Sequence, residues 1–248
     1  MTIPEISQPI LHGPAKTARF GQTLTIDITA PQRNLVVERG SSIPRASIIV
    51  TTLARNVIHL SKEGHKLDHI VVMGSDGPPT EHPDLREITE NLRTLRDKWF
   101  SRAKLTLISD GLDFDSPDLR QTLLAYDKLI QDYHWGTAKV FQSMTGEKGT
   151  VLGHLTRNLN YFERLIVQAH FTGASSGNGT DSEVKNWLKK LTELRPMEVH
   201  LVEGPPTTSG KKPRAATQNQ LQKIADQVTE KTGLAVTIFE EETMLVGA

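Results

Sequence analysis

Short apolar runs alternate with helical apolar stripes from about residue 22 to the end of the chain. Leu24-Thr-Ile-Asp-Ile28 reads as a strand, and Ile49, Leu53, Val57 and Leu60 then fall at helical spacing between Pro44 and Leu60. His69-Ile-Val-Val-Met73 is a continuous apolar run of the kind used by a sheet covered on both faces. Pro83 marks a helix start, followed by Leu85, Ile88, Leu92, Leu95 and Trp99 every three or four residues. Leu105-Thr-Leu-Ile108 is a strand, and Ser116-Pro117 caps a helix through Leu119, Leu123 and Leu124. A weaker strand at Leu129-Ile130 precedes a helix carrying Leu152, Leu155, Leu159 and Phe162. Leu165-Ile-Val-Gln-Ala-His170 is the next strand, and Asp181 or Ser182 caps a helix with Val184, Trp187, Leu188, Leu191 and Leu194 on one face. Val199-His-Leu-Val202 is a strand, and Thr217 opens a helix through Leu221, Ile224 and Val228 that ends at Gly233. Leu234 to Phe239 closes the pattern.

This βα alternation implies a parallel sheet with right-handed crossovers. Periodicity leaves open whether the sheet is barrel-like or doubly wound. In both, ligands collect at the carboxyl ends of the strands. Those ends are polar: Asp27 and Thr29, Ser75 and Asp76, Ser109 and Asp110, Asp132 and His134, His170 and Thr172, and Glu203.

Composition narrows the chemistry. The 248 residues are 37% hydrophobic and 5% aromatic, the profile of a globular chain, and mean hydropathy is −0.36. Lys plus Arg and Asp plus Glu each number 29, a balance that argues against a broad nucleic-acid surface. No apolar run approaches a membrane span, and the start carries no secretory pattern, so a cytoplasmic location is expected. The chain has no cysteine, so it offers no thiolate nucleophile, disulfide, sulfur-ligated zinc or thiolate-held iron–sulfur cluster of its own.

Five pieces, in the order of the βα units, resemble the radical S-adenosylmethionine (radical SAM) superfamily. They are His12-Gly-Pro with Arg19-Phe-Gly-Gln-Thr-Leu-Thr-Ile-Asp27; Glu38-Arg39-Gly40; Gly77-Pro-Pro-Thr-Glu-His-Pro-Asp-Leu85; Leu105-Thr-Leu-Ile-Ser-Asp-Gly111; and Leu194-Arg-Pro with Glu198-Val and Gly204-Pro-Pro206. The resemblance implies a partial barrel. It also implies three cluster cysteines spaced CxxxCxxC, which fall here on Ala30, Asn34 and Val37. The glutamate that attends the cofactor's amino group in the family falls on Pro78, which has neither charge nor N–H. A degenerate member without a 4Fe-4S cluster is therefore expected. Retained S-adenosylmethionine binding would require another carboxylate, and Asp76 is the nearest in sequence.

Among the strand-end residues, Asp110, Asp132, His134, His170 and Glu203 could act as acid–base groups or divalent-metal ligands, or could be capping carboxylates and satisfied histidines. Asp110, His134, His170 and Glu203 are the candidate catalytic set, and no metal site is assigned. Gly74, Ser75, Asp76 and Gly77 are the candidate cofactor-binding loop, in a composition that equally suits an inherited turn. His65 and His69 precede a strand at its amino end and read as a solvated turn. The loop Thr172–Thr180 could offer amides to a phosphate or act as a mobile lid, but it lacks a P-loop lysine. Gly210-Lys-Lys-Pro-Arg214 is the one concentrated basic patch, and no aromatic platform accompanies it, which leaves nucleic acid disfavoured. Lys185, Lys189, Lys190, Glu193 and Arg195 read as an outer helix face needing no ligand.

The expectation is one radical-SAM-like domain over 1–248, with a lead-in at 1–21 and an incomplete TIM-type (β/α)6 barrel over 22–240. Loss of both signature elements favours a binding or partner protein with a pocket at the barrel mouth, serving a small-molecule ligand or a protein partner without a membrane. The alternative is an enzyme repurposed for polar chemistry on a small anionic substrate.

Overall fold

The computed structural model describes residues 10–31, 43–210 and 213–240. In chain order the elements are β1 Leu11–Thr17, β2 Gly21–Asp27, α1 Ala46–Lys62, β3 His69–Met73, α2 Leu85–Trp99, β4 Lys104–Ser109, α3 Pro117–Leu123 and β5 Lys128–Asp132. They continue with α4 Ala138–Thr145, α5 Gly149–Leu159, β6 Leu165–Ala169, α6 Asp181–Leu194, β7 Glu198–Val202, α7 Gln218–Thr232 and β8 Ala235–Phe239. Two compact units divide the described residues, one holding those up to 111 together with 121–128, the other holding 112–120 and 129–240.

In the first unit β2, β3 and β4 pair in parallel, in chain order. In the second, β5, β6, β7 and β8 do the same. Strands laid down in chain order, each followed by a helix, are the winding of TIM-type folds, whereas a doubly wound sheet reverses its order at a switch point. The fold class is therefore the expected one: α/β, with parallel strands and intervening helices.

The register sorts the side chains. Leu24, Ile26, Ile70, Val72, Leu105 and Leu107 share one face and are at most 1% exposed. That face suits the apolar stripes of α1 (Ile49, Leu53, Val57) and α2 (Ile88, Leu92). The opposite face carries Thr23, Thr25, Asp27, Val71 and Thr106, and it too is buried. In the second unit Tyr133 reaches Thr156 of α5 through a 2.7 Å hydroxyl contact, which assigns that parity to the helices. Ile130, Asp132, Ile166, Gln168 and His200 fall on the other face.

Several sequence expectations need correction. Residues 11–17 are not merely a lead-in. They form β1, antiparallel to β2, with a register irregularity between His12 and Ala15. A Gly-Pro pair gives no periodic signal, and proline, lacking an N–H, is tolerated at such an edge bulge. Among the described residues, strands in parallel ladders number seven, β2 to β8, rather than six. The helix expected at Pro83 begins at Leu85, after a 3-10 turn over Pro79–Glu81. Thr180, not Asp181 or Ser182, caps α6, accepting from the Glu183 N–H. Phe162 lies beyond the end of α5 and Leu124 is exposed. The short helix α4 was not foreseen. By contrast, Thr217 forms a capping box with Gln220 at the start of α7, and Gly233 ends that helix as expected. Asn34, Val37, Glu38-Arg39-Gly40, Lys211 and Lys212 lie outside the described residues.

One charged cluster locks α2 to the sheet of the first unit. Arg96 is 9% exposed. Its guanidinium donates to Asp127 Oδ2 at 2.8 Å and to the Ala103 carbonyl at 2.9 Å. Asp127 Oδ2 also accepts the Leu105 N–H at 2.8 Å. Partial burial pushes the Asp127 carboxyl up. The Leu105 N–H, the Arg96 hydrogen bond and the nearby positive charges of Arg96 and Lys104 outweigh it, so the net shift is downward. A depressed folded-state value means stability that is present above the ordinary carboxylate value of 3.8 and lost as pH falls below it. Asp127→Asn is expected to cost about 2 kcal/mol at neutral pH, read from urea unfolding, and to flatten the acid dependence of the midpoint below about pH 4.

Candidate functional site

The strand ends of the two units differ in chemistry. In the first, Asp27 ends β2 at 1% exposure. Its Oδ1 accepts the N–H groups of Thr29 and Ser75, both at 3.1 Å, while Oδ2 is buried with no partner. The Thr29 hydroxyl accepts the Asp76 N–H at 3.0 Å and donates to the Gly77 carbonyl at 3.3 Å. The loop Gly74–Gly77 is thus drawn onto Thr29 so closely that a Cβ on Gly74 would sit 2.6 Å from the Thr29 hydroxyl. Ser75, Asp76 and Gly77 are exposed, so the candidate cofactor loop is a folded turn with its polar side chains outward. Asp110 follows β4 and is exposed, but desolvation by the surrounding protein raises its carboxyl, against a lowering backbone hydrogen bond. His69 is half-buried rather than in a solvated turn. Its Nδ1 lies 3.0 Å from the Thr106 hydroxyl, its ring packs on Phe20, and burial first, then the Lys128 charge, lowers its pKa.

In the second unit the ends of β5 and β6 bring His134 and His170 together, with ring centroids 6.4 Å apart and planes perpendicular. His134 is 2% exposed, and neither ring nitrogen has a hydrogen-bond partner. Trp135, its ring 4.3 Å from that of His134, also has its indole N–H unpartnered and buried. Gln168, two residues before His170 on the same face, donates to Asp132 Oδ1 at 2.6 Å, which leaves its own buried Oε1 without a donor. Four orphaned polar atoms therefore lie on three residues at two neighbouring strand ends, in a class of chain where nearly all such atoms are satisfied. Each costs about 1–3 kcal/mol while unpaired. Glu203 is half-buried after β7 and is held by its backbone N–H to the Phe239 carbonyl; among the described residues its carboxylate makes no hydrogen bond.

Asn178 holds this end in shape. At 1% exposure, its amide donates to the carbonyls of His134 at 2.9 Å and His170 at 2.8 Å, and its Oδ1 accepts the Thr172 N–H at 2.9 Å. One side chain thus ties both histidine-bearing strand ends to the Gly/Ser-rich loop. The loop is fastened elsewhere too: Gly179 N–H donates to the Thr172 hydroxyl, that hydroxyl donates to the Ser176 carbonyl, and Gly173 N–H donates to Arg214. A Cβ on Gly179 would overlap the Thr172 carbonyl, so only glycine fits. The α6 N-terminus, where loop amides could have met a phosphate, faces the chain's own anion. Glu183, in its first turn, accepts the Thr137 N–H at 3.1 Å and the Thr137 hydroxyl at 2.8 Å.

Among the described residues, no group of three or more His, Asp or Glu is placed to hold a metal ion, and no helix is long and apolar enough to cross a membrane. Sequence reasoning found His134 and His170 but missed Gln168, Trp135 and Asn178. Gln168 was legible by period two from His170. Asn178 had no such signal in a Gly/Ser-rich loop.

The arrangement defines an α/β protein of TIM-type winding with a histidine-centred polar cluster at its strand ends. Its fold is similar to that of a domain of pyruvate-formate lyase-activating enzyme from Bacteroides vulgatus ATCC 8482, with a TM-score of 0.51 at 14% identity over 68% of this chain and 98% of that one. At that identity the likeness is one of fold alone. Weaker likenesses, which carry no argument, are to a DAHP synthase from Thermotoga maritima (TM-score 0.37, 15% identity, 76% of this chain and 47% of that one) and a phosphoribosyl anthranilate isomerase from Thermococcus kodakaraensis (0.31, 13%, 75% and 84%). No family model matches the chain, and no curated protein matches its sequence.

Burial, then the neighbouring His170, lowers His134 to about 3 from the ordinary 6.5. A group neutral when folded but protonated when unfolded makes stability fall as pH drops from 6.5 toward 3, by at most about 1.4 kcal/mol per pH unit. Urea midpoints between pH 7 and pH 4.5 are expected to show this slope in the wild type and a shallower one in His134→Leu. Asn178→Ala is expected to cost about 2–3 kcal/mol and to accelerate amide exchange across residues 172–180.

Proposed function

We propose that this chain is a cluster-less, radical-SAM-like binding protein whose ligand pocket lies at the carboxyl ends of β5 and β6. The observation that carries this reading is the set of four unpartnered buried polar atoms on His134, Trp135 and Gln168. A small polar molecule bearing both donors and acceptors would satisfy them, which makes the cost of leaving them unpaired in the empty protein intelligible. The sequence pieces that resemble radical SAM proteins, together with the fold likeness to the activating-enzyme domain, support the ancestry.

The donor set does not fit the ancestral cofactor chemistry. The chain has no cysteine. Ala30, aligned with the first cluster ligand, is a fully buried methyl group. Pro78, aligned with the amino-binding glutamate, packs its ring toward Gly111 and has no charge to offer. No reductive step through a cluster held by this chain follows from such residues.

Binding is favoured over polar catalysis by the same imidazole. A general base works best with a pKa near the operating pH, and His134, at about 3, is neutral and weakly basic there. Neutral imidazole serves as one hydrogen-bond donor and one acceptor, which is a recognition role.

Native mass spectrometry of the purified full chain is expected to retain a small non-protein mass at stoichiometric level, lost in His134→Leu and Gln168→Leu. His134→Leu should leave the ligand-free chain about 1 kcal/mol more stable at pH 7, because it removes two orphaned polar atoms. Stoichiometric iron and sulfide, with reductive cleavage of S-adenosylmethionine, would overturn the reading.

A further inference from the structure

The helical layer of the second unit sorts its charges in a way that the strand ends do not require. On α6, Asp181, Lys185, Lys189 and Thr192 line one stripe. On α7, Lys223, Gln227 and Lys231 line another, and the two stripes face a common groove of about 560 Å³. All four lysines are exposed. Lys223 pairs with Asp181 at 3.3 Å, whereas Lys185, Lys189 and Lys231 have no ion-pair partner among the described residues. Neither acid of α7, Asp226 nor Glu230, is among the residues lining the groove, although Glu230 lies one helical row from Lys223 and Gln227. Asp226 accepts from Gln222 at 2.9 Å on a neighbouring face, and Glu193 of α6 is taken by Lys190 at 2.7 Å. Apart from the Asp181–Lys223 pair, the two helices set lysine beside lysine along the groove, an arrangement that is mildly repulsive by itself. The sequence had presented Lys185 and Lys189 as one solvated face. Only the packing of α7 alongside α6 turns them into one wall of a four-lysine groove.

We propose that this groove is a docking site for an acidic, helical segment of a partner protein. The inference rests on the reading of the chain as a binding protein and supplies the surface on which a protein partner would sit. Its length, from Asp181 to Thr192, is roughly 17 Å, about three helical turns. Lysines four residues apart on α6 and eight apart on α7 stand about 6 Å and 12 Å apart along the helices, the spacing of glutamates at i, i+4 and i+8 on a docked helix. Charge complementarity selects the occupant. The lining contains no aromatic side chain on which bases would stack, and the chain as a whole is neutral, so nucleic acid is the poorer match. Long exposed lysine side chains with no buried donor among them suit a steered, salt-sensitive protein contact rather than a rigid small-anion cage.

The probe is a synthetic helical peptide with glutamate at every fourth position, labelled for fluorescence anisotropy and titrated with the full chain at low salt. Binding is expected, weakening steeply as salt rises from about 0.05 to 0.5 M. The double variant Lys185→Glu/Lys189→Glu should weaken it about tenfold or more with an unchanged urea midpoint, since both side chains are exposed. A peptide with glutamine in place of glutamate should not bind. Absence of binding by the glutamate peptide, binding unaffected by the double variant, or tighter binding of a 12-mer of single-stranded DNA to the same lysines would each overturn the proposal. A negative result here, with a small molecule still retained at His134, would sink the groove and leave the strand-end pocket standing.

Discussion

Parallel strands buried on both faces leave an inward-pointing polar side chain no access to water, and this constraint organises both units. Each such group must find a partner across the same face or remain a standing cost. Most do find one. Asp127 meets Arg96 and the Leu105 N–H; Asp132 meets Gln168; His69 meets Thr106; and His200 meets Glu198 at 3.2 Å. Asp132 with Gln168 and His69 with Thr106 join neighbouring strands, so there the ladder that aligns the strands also matches the side chains, whereas His200 and Glu198 meet along one strand. Four of the unsatisfied atoms fall on His134, Trp135 and Gln168 at neighbouring strand ends, while Asp27 Oδ2 and Thr208 Oγ1 stand singly elsewhere.

Asn178 shows how a loop can be made rigid without regular secondary structure. Its amide bonds to two strand ends and one loop N–H, and it replaces three separate backbone contacts with one side chain. The tight approach at Gly179 and the Thr172 bonds then leave the segment little freedom. The composition that suggested a phosphate cradle or a swinging lid is used instead to let backbone pass close to backbone. Glu183 occupies the position at the start of α6 where an external anion would otherwise be drawn.

The electrostatic character of the cluster follows from burial rather than from any strong charge partner. Desolvation keeps His134 neutral, and a neutral His134 can both give and take a hydrogen bond. In the first unit the contrast is Asp27, whose carboxylate is anchored through one oxygen by the Thr29 and Ser75 amides. The likeness to the activating-enzyme domain is one of architecture, and architecture by itself does not carry function.

What the sequence determined by itself was everything that repeats within a turn or a pleat: the βα alternation, the bounds of β3, the caps at Thr217 and Gly233, and the presence of two histidines at successive strand ends. These are local, because hydrophobic period and capping chemistry act over a few residues. Tertiary structure decided the chain-order winding, the edge strand β1 with its irregular register, the meeting of His134 with Trp135 and His170, and the facing lysines of α6 and α7. Asn178 stands 44 residues from the His134 carbonyl it holds, and Lys223 stands 42 from Asp181. Contacts over such separations are made by the packing of successive βα units, so no period along the chain could announce them.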